Sequence, residues 1–220
     1  MKTTRNSLCS LALVLLQAFS PSMAAERVRI TEAKVISPSV QQAREASHEL
    51  AVYIHTFEGT RWSENMIVDA LTEAARLVSS CGVALTQLEL RTIAAPRRFH
   101  FYSTPVSRAL LQTLAVPKPA LFFVEDTHNH PAFDAEAIGE ANATRRPELA
   151  NTVWIAYGAR DLPYALAHEL VHVLADSGEH SDEPGNLMRP DTAPGNSRLS
   201  AAQCDRVRSQ GVAHHLLKPR

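Results

Sequence analysis

His168-Glu169-Leu170-Val171-His172 is the stretch of the chain that decides the fold. On an α-helix, side chains four residues apart differ by about 40° in direction and about 6 Å in height, so both imidazoles can reach one ion. The glutamate between them is turned around the helix, where it can hold a water molecule as a general base instead of binding the ion. The spacing therefore predicts a zinc-binding helix. Because such a pattern also recurs by chance on amphipathic helices, the neighbouring sequence has to support this prediction.

The residues around this stretch have the pattern of an amphipathic helix. Asp161 is a candidate N-cap, and Pro163 falls in the first turn, where its missing N–H does no harm. Apolar side chains recur at helical spacing on one side, about 200° away from the histidines. They are Leu166, Leu170, Val173 and Leu174. We expect this side to pack on a sheet, while the opposite side presents His168 and His172 to a cleft.

A third ligand is expected from the chain that follows the helix, because a catalytic zinc takes three protein ligands and one exchangeable water. Gly178 can adopt the positive φ with which a helix often ends, and the returning chain carries His180. We therefore predict that His180 joins His168 and His172 on a single Zn²⁺ ion. Glu169 would take a proton from the activated water. A solvated loop histidine is the alternative interpretation of His180.

The rest of the chain alternates between apolar strands and amphipathic helices. Residues 50–57 are rich in β-branched and aromatic side chains, residues 63–81 have helical spacing after an N-cap serine, and residues 83–93 alternate again. This order predicts a right-handed crossover between two parallel strands of one sheet. Other predicted elements are strands at 120–125 and 152–157, a short strand or arm at 27–36, and helical character at 106–114.

The first 25 residues are typical of a secretory signal peptide. Two basic residues precede an apolar run at 8–19, and small residues at 22–25 provide a cleavage site. We therefore predict an exported protein, periplasmic or secreted. Residues 26–46 would form a short leader and residues 47–220 one catalytic domain, a length that can bury a substantial core. No later stretch is long enough to be a transmembrane helix.

The number of cysteines predicts a disulfide, and the net charge bears on which partners the chain can bind. Removal of the signal peptide, which carries Cys9, leaves two cysteines. An even number in an exported chain predicts a disulfide between Cys81 and Cys204, with two separately buried thiols as the alternative. Signal removal also takes away Lys2 and Arg5, so that 20 basic residues face 23 acidic ones. A mildly acidic chain without a dense basic block does not indicate nucleic acid as a partner.

The motif and the residues after it resemble the metzincin clan of zinc peptidases, and its matrixin-like members in particular. The family pattern HExxHxxGxxH looks like the stretch from His168 to His172, with His180 as the third histidine. The family's Met-turn looks like the segment that ends in Met188-Arg-Pro190. The resemblance implies a zinc endopeptidase that acts on peptides or proteins. It also implies zinc ligation by the three histidines, base catalysis by Glu169 and a structural Met188 beneath the metal.

The resemblance extends to the fold. It implies an α+β domain of the zincin-like type, with a mixed, twisted, five-stranded sheet, an active-site helix and a small irregular C-terminal subdomain that ends in a helix. The stretch Ile138-Gly139-Glu140-Ala141 looks like the family's antiparallel edge strand, whose backbone pairs with an extended substrate. The final helix resembles one that begins with Ser200 as N-cap and ends with Gly211 as C-cap.

One spacing departs from the family pattern. The family glycine and third histidine follow the second histidine by three and six residues, whereas Gly178 and His180 follow His172 by six and eight. The turn must therefore accommodate two additional residues, and Glu179 and Asp182 are alternative third ligands. The spacing between the third histidine and the Met-turn favours His180.

Two other functions are compatible with these residues. A gluzincin-type peptidase would take its third ligand from a downstream glutamate such as Glu183, although the last helix offers only Asp205. A noncatalytic exported module would keep the zincin fold and bind zinc or protein without hydrolysis. His128 and His130 lie in a predicted loop, where solvated side chains are a simpler interpretation than a second metal site.

Overall fold

The computed structural model describes residues 27–36, 46–128 and 135–220 of the chain. The predicted signal peptide and His130 lie outside these residues. The strands and helices in chain order are β1 (Arg29–Ile36), β2 (His48–Phe57), α1 (Glu64–Ser79), β3 (Val83–Ala94), β4 (Phe101–Tyr102), α2 (Thr104–Thr113), β5 (Ala120–Val124), β6 (Asp126–Thr127), β7 (Ala135–Ile138), β8 (Thr152–Ala156), α3 (Leu162–Leu174), α4 (Ala201–Ala213) and β9 (Leu217–Pro219). Short 3₁₀ helices lie at Arg97–His100 and Pro147–Leu149.

One mixed sheet of seven strands organises the fold. Its order is β1-β3-β2-β5-β8-β7, and β9 pairs with the start of β2. The four central strands are parallel, as the predicted crossover requires, while β1, β7 and β9 are antiparallel to their neighbours. The prediction of five strands is wrong, because β1 and β9 also join the sheet. β1 was predicted as a short strand or arm but not as part of the sheet, because it is exposed along most of its length, and β9 is only three residues long.

Helices α1 and α3 cover one face of the sheet. The hydroxyl of Ser63 accepts a hydrogen bond from the Met66 backbone N–H and caps α1, as predicted. The apolar stripe predicted for α3 is buried along its whole length and packs against α1 and the inner side chains of β2. Burial of each such leucine contributes about 1.5–3 kcal/mol. Among the described residues, no helix is both long and apolar enough to cross a membrane.

The opposite face of the sheet carries a second, aromatic core. Phe122 and Trp154 stack with their ring centroids 4.2 Å apart. They pack beneath α2 and the two 3₁₀ helices, which contribute Leu110, Phe99 and Leu149. The central strands are therefore packed on both faces.

His55 packs against this second core and is completely buried. Its ring stacks on Phe122 with a centroid distance of 4.6 Å. Within the described residues, neither ring nitrogen has a partner of normal hydrogen-bond geometry. Burial, reinforced by the nearby Arg91 charge, lowers the pKa of His55 to about 3, and the approaching Leu121 carbonyl opposes this shift only in part. His55 is therefore neutral in the folded protein at neutral pH.

This burial predicts acid sensitivity. In the unfolded chain His55 titrates near its ordinary pKa of about 6.5, so the unfolded state binds more protons below that pH and stability falls as pH drops. Between pH 7 and pH 5, the contribution of His55 to the free energy of unfolding should decrease by about 2 kcal/mol. We expect His55→Phe, which keeps the stack on Phe122, to lose that part of the pH dependence. Urea unfolding of both proteins at pH 7 and pH 5 measures the change in the free energy of unfolding. An equal change in the two proteins would contradict the prediction.

A disulfide fastens the C-terminal helix to this scaffold. Cys81, just after α1, is bonded to Cys204 on α4, with the two Cα atoms 4.7 Å apart, which confirms the predicted bridge. Ser200 caps α4 as predicted, and Gln203 completes a capping box. Gly211 does not end the helix, which continues to Ala213. A Cβ atom at Gly211 would lie 2.7 Å from the Leu217 side chain, so the glycine is needed for the close approach of β9.

Candidate metal centre and cleft

The three histidines of the motif region come together at one point. His168 and His172 lie on α3 and are buried, whereas His180 lies in the chain after the helix and is exposed. The Nε2 atom of His172 is 2.9 Å from that of His168 and 3.3 Å from that of His180. Imidazoles that bind zinc tetrahedrally at about 2.0–2.1 Å have their nitrogens about 3.4 Å apart. The observed spacing is close to this value, so the donor set fits a small tetrahedral cation.

Backbone carbonyls orient the two helix histidines. The Nδ1 atom of His168 donates to the Leu187 carbonyl at 2.8 Å, and that of His172 donates to the Ser177 carbonyl at 2.6 Å. With Nδ1 carrying the proton, each Nε2 atom directs a lone pair at the common point. Burial lowers the pKa of both rings, that of His172 to about 4 with the His168 ring adding to the effect. Both side chains are therefore neutral and able to act as ligands at pH 7.

A longer turn than in the family pattern still brings His180 to its partners. Helix α3 ends at Leu174, and the positive φ of 44° belongs to Asp176. Gly178, which was predicted to take this conformation, does not have a positive φ. Aspartate tolerates the left-handed region better than most residues. In this turn a hydrogen bond also fixes the Asp176 side chain. Its Oδ1 atom accepts from the Ala141 N–H at 2.8 Å, which ties the turn to the opposite side of the cleft.

The acidic alternatives for the third ligand point elsewhere. Glu179 is mostly exposed and forms an ion pair with Arg206 of α4 at 2.9 Å. Asp182 and Glu183 are exposed in the following loop. Among the described residues, the only group of three His, Cys, Asp or Glu side chains with ligand atoms close enough for one ion is formed by the motif histidines.

Glu169 lies beside the histidines and lines the same cleft. Burial raises the pKa of its carboxyl to about 8, the Glu136 carboxylate adds to this, and a backbone hydrogen bond from Ala137 opposes it. A carboxyl group with such a pKa can exchange a proton at near-neutral pH. The position of Glu169 therefore suits proton transfer, and its raised pKa favours the protonated form.

An open cleft of about 940 Å³ surrounds these groups. Its lining comes from strand β7, from α3 and the turn before it, and from the segment Pro190–Ala193. This volume is at the upper end of the range for small-molecule sites, and the cleft is open to solvent, so it can receive an extended chain.

The edge strand beside the cleft differs from its prediction. Strand β7 is antiparallel to β8, as predicted, but it comprises Ala135–Ile138 and includes only Ile138 of the predicted stretch. Gly139, Glu140 and Ala141 follow the strand. Their polar contacts explain this, because Glu140 accepts from the Asn151 side chain at 2.9 Å and Ala141 donates to Asp176. A Cβ atom at Gly139 would lie 2.6 Å from Asp176 Oδ1, so this segment approaches the turn too closely to continue the sheet.

The other predicted site residues have separate surroundings. Met188 is buried in the core next to the Leu187 carbonyl that orients His168, and its own carbonyl accepts from the Ser181 N–H at 2.8 Å. His128 is exposed and stacks on Phe101 with a centroid distance of 4.9 Å. No metal-binding group that includes His128 occurs among the described residues.

Several supporting groups carried no signal in the sequence. The carbonyls of Leu187 and Ser177 belong to the backbone, which every residue has. Asp176 and Asn186 are common turn residues, and only their side-chain bonds to other segments distinguish them. The two amide side chains Asn186 and Gln203 face each other across 17 residues of sequence, and a pairing of this kind is visible only in the folded chain.

Comparisons with known proteins identify the fold. No protein-family model and no curated protein matches this sequence. The structure of metalloproteinase-II from Bacteroides fragilis is similar, with a TM-score of 0.53 and 17% sequence identity over 76% of this chain. The match covers 54% of that chain, so the present protein spans about half the length of this relative. Archaemetzincin from Methanopyrus kandleri matches with a TM-score of 0.48 and 11% identity over 73% of this chain and 95% of its own. The first similarity supports a mixed α/β fold of the type found in metallopeptidases.

Proposed function

We propose that the protein is an exported, zinc-dependent endopeptidase. The observation that carries this proposal is the convergence of three imidazole Nε2 atoms beside a protonatable glutamate in an open cleft. The fold supports it, because a protein named as a metalloproteinase has a similar structure. The spacing from His180 to Met188, which resembles that of matrixins, supports a metzincin-type peptidase.

His168, His172 and His180 would hold one zinc ion. The backbone carbonyls that bond to Nδ1 of His168 and His172 hold these two rings with Nε2 toward the common point, which limits the side-chain entropy lost on binding. Bound zinc supplies Lewis acidity, which lowers the pKa of water and polarises the scissile carbonyl. Met188 would support the site from below as a structural residue.

Glu169 would act as the general base. Its carboxylate accepts a proton from the attacking water and passes it to the leaving amine. The buried surroundings that raise its pKa also favour the protonated form that must deliver this proton. The Ala137 backbone N–H, which bonds to the carboxyl, would hold the group at the cleft side of α3.

Strand β7 would bind the substrate. In the described part of the chain β7 has a neighbouring strand on one side only, and Ala135, Glu136 and Ala137 line the cleft. An extended peptide can pair with such an edge through its backbone, whatever its side chains. The substrate would therefore be a peptide or an unfolded protein segment.

Export is part of the proposal. The apolar stretch at 8–19 would be a signal peptide, residues 26–46 a leader, and residues 47–220 the catalytic domain. The disulfide between Cys81 and Cys204 supports passage to an oxidising compartment. The periplasm and the extracellular space both meet this condition.

The test is cleavage of a peptide library with blocked termini by the purified mature protein. We expect internal cleavage that stops on addition of a chelator and returns with zinc. His180→Ala should abolish cleavage. It should also weaken zinc binding more than the loss of an outer-shell partner does, which is typically about 10–100-fold. His128→Ala is the matched control, since this exposed histidine stacks on Phe101 away from the cluster, and it should change neither quantity.

Other results would point to the alternatives. Stoichiometric zinc without any cleavage would favour a noncatalytic zinc-binding module. Unchanged zinc affinity in His180→Ala would assign the third ligand to a neighbouring acid such as Glu179, or to Glu183 as in a gluzincin. Cleavage that survives complete zinc removal would overturn the proposed mechanism.

A further inference from the structure

One peptide unit outside the histidine cluster controls the orientation of His168. The carbonyl of Leu187 accepts from His168 Nδ1 at 2.8 Å. The N–H of the same peptide unit belongs to Met188 and donates to the Asn186 side-chain Oδ1 atom, also at 2.8 Å. Because the peptide unit is planar and trans, its N–H and C=O point in opposite directions. Asn186 and His168 therefore bind opposite sides of the same planar peptide unit.

The Asn186 side chain is itself held by helix α4. It is buried, with 3% exposure, and forms two hydrogen bonds with Gln203, one from Asn186 Nδ2 at 3.0 Å and one from Gln203 Nε2 at 3.2 Å. The direction of both amides is determined by backbone donors. Met188 N–H can only donate, so Asn186 presents oxygen to it, and the Ser200 N–H donates to Gln203 Oε1 at 2.8 Å for the same reason. Each of these bonds therefore joins an N–H donor to an oxygen acceptor.

We infer that Asn186 and Gln203 are positioning residues for the metal centre, an inference that rests on the proposed function. Through the Leu187 carbonyl they keep the proton of His168 on Nδ1 and its Nε2 lone pair directed at the other two histidines. Neither side chain is among those that line the cleft, and their hydrogen bonds go to each other and to the backbone. Gln203 thus serves both the capping box of α4 and the first metal ligand, so the C-terminal helix takes part in metal binding.

The hydrogen bonds of the neighbouring peptide units distinguish the orientation of His168 from a general stabilisation of the loop. The neighbouring peptide units are fixed by backbone bonds, since Leu187 N–H donates to Arg198 at 2.7 Å and the Met188 carbonyl accepts from Ser181. Only the unit between Leu187 and Met188 depends on a side chain. Outer-shell partners of this kind typically change metal affinity by about 10–100-fold when they are removed. The expected effect is therefore on zinc binding, with a smaller effect on folding.

The experiment compares the zinc affinity of the mature protein and its variants by competition with a chelating indicator dye. Asn186→Leu, which cannot accept from Met188 N–H, should bind zinc about 10–100-fold more weakly. Asn186→Asp keeps the acceptor for the Met188 N–H but places a second oxygen opposite Gln203 Oε1, so it should lose less affinity than Asn186→Leu without reaching the wild-type value. Gln203→Ala leaves Asn186 unsupported and should give an intermediate loss. Thermal unfolding without zinc is measured for each protein, and affinities are compared below the lowest midpoint.

Ser200→Ala is the matched control, because it removes the hydroxyl that caps α4 and leaves the Gln203–Asn186 pair in place. It should lower the unfolding temperature and leave zinc affinity unchanged. Equal zinc affinity in wild type, Asn186→Leu and Gln203→Ala would overturn the inference, as would an equal loss in Ser200→Ala. If Asn186→Leu does not fold, Gln203→Ala decides. Absence of zinc binding in the wild type would instead overturn the proposed function itself.

Discussion

Replacement of Glu169 by glutamine should reduce kcat/KM for peptide hydrolysis by about 10²- to 10⁴-fold. The amide keeps the size and the position of the side chain on α3, but it cannot accept the proton of the attacking water. Zinc binding should remain, because all three imidazoles and their carbonyl partners are unchanged. The variant therefore separates proton transfer from metal binding.

Kinetics and metal analysis together measure this effect. Single-turnover hydrolysis of one library-derived peptide gives the rate, and zinc content is determined on the same sample. Glu183→Gln is the control, since this exposed glutamate lies in the loop after His180 and should leave both values at the wild-type level. A Glu169→Gln protein that retains zinc and cleaves at the wild-type rate would show that another group acts as the base.

Removal of the disulfide should produce the largest change in stability. The bond between Cys81 and Cys204 closes a loop with a sequence separation of 123 residues. In the chain-entropy description, a loop of this length stabilises the native state by about 5 kcal/mol, because it restricts the unfolded chain. Both cysteines are buried, so Cys81→Ala and Cys204→Ala together also remove packed sulfur atoms. We expect the free energy of unfolding to fall by about 4–5 kcal/mol.

Urea unfolding of the oxidised wild type, the reduced wild type and the double variant measures this difference. The double variant should resemble the reduced wild type and should not respond to reductant. Equal stability of the oxidised wild type and the double variant would show that α4 is held in place by its noncovalent contacts alone.

The motif helix was readable from the sequence because its two faces have different chemistry. The leucines and Val173 repeat at helical spacing toward the sheet, and His168 and His172 repeat on the other side. The central strands were readable for a similar reason, since β5 and β8 are runs of apolar side chains buried on both faces and β2 is rich in β-branched and aromatic residues. Elements that are buried to this extent have an apolar composition that can be recognised in the sequence.

The parts that were wrong or missed depend on contacts between distant segments. The stretch after Ile138 has the composition of a strand, but Asp176 binds the Ala141 N–H and bends the chain away from the sheet. The turn after α3 was expected to rely on Gly178, whereas Asp176 takes the positive φ because its side chain is held on the far side of the cleft. Local patterns contain no information about such partners.

The pairing of β9 with the start of β2 has a consequence for the order of folding. Residues 48–50 are synthesised early, and their partners at 217–219 follow α4 at the other end of the domain. Contacts of such long sequence separation form late, because the entropy of loop closure opposes them. A nascent chain can contain all three histidines and the central strands before the helix that supports the Leu187 carbonyl has emerged. We therefore expect the histidine cluster to reach its final geometry late in folding.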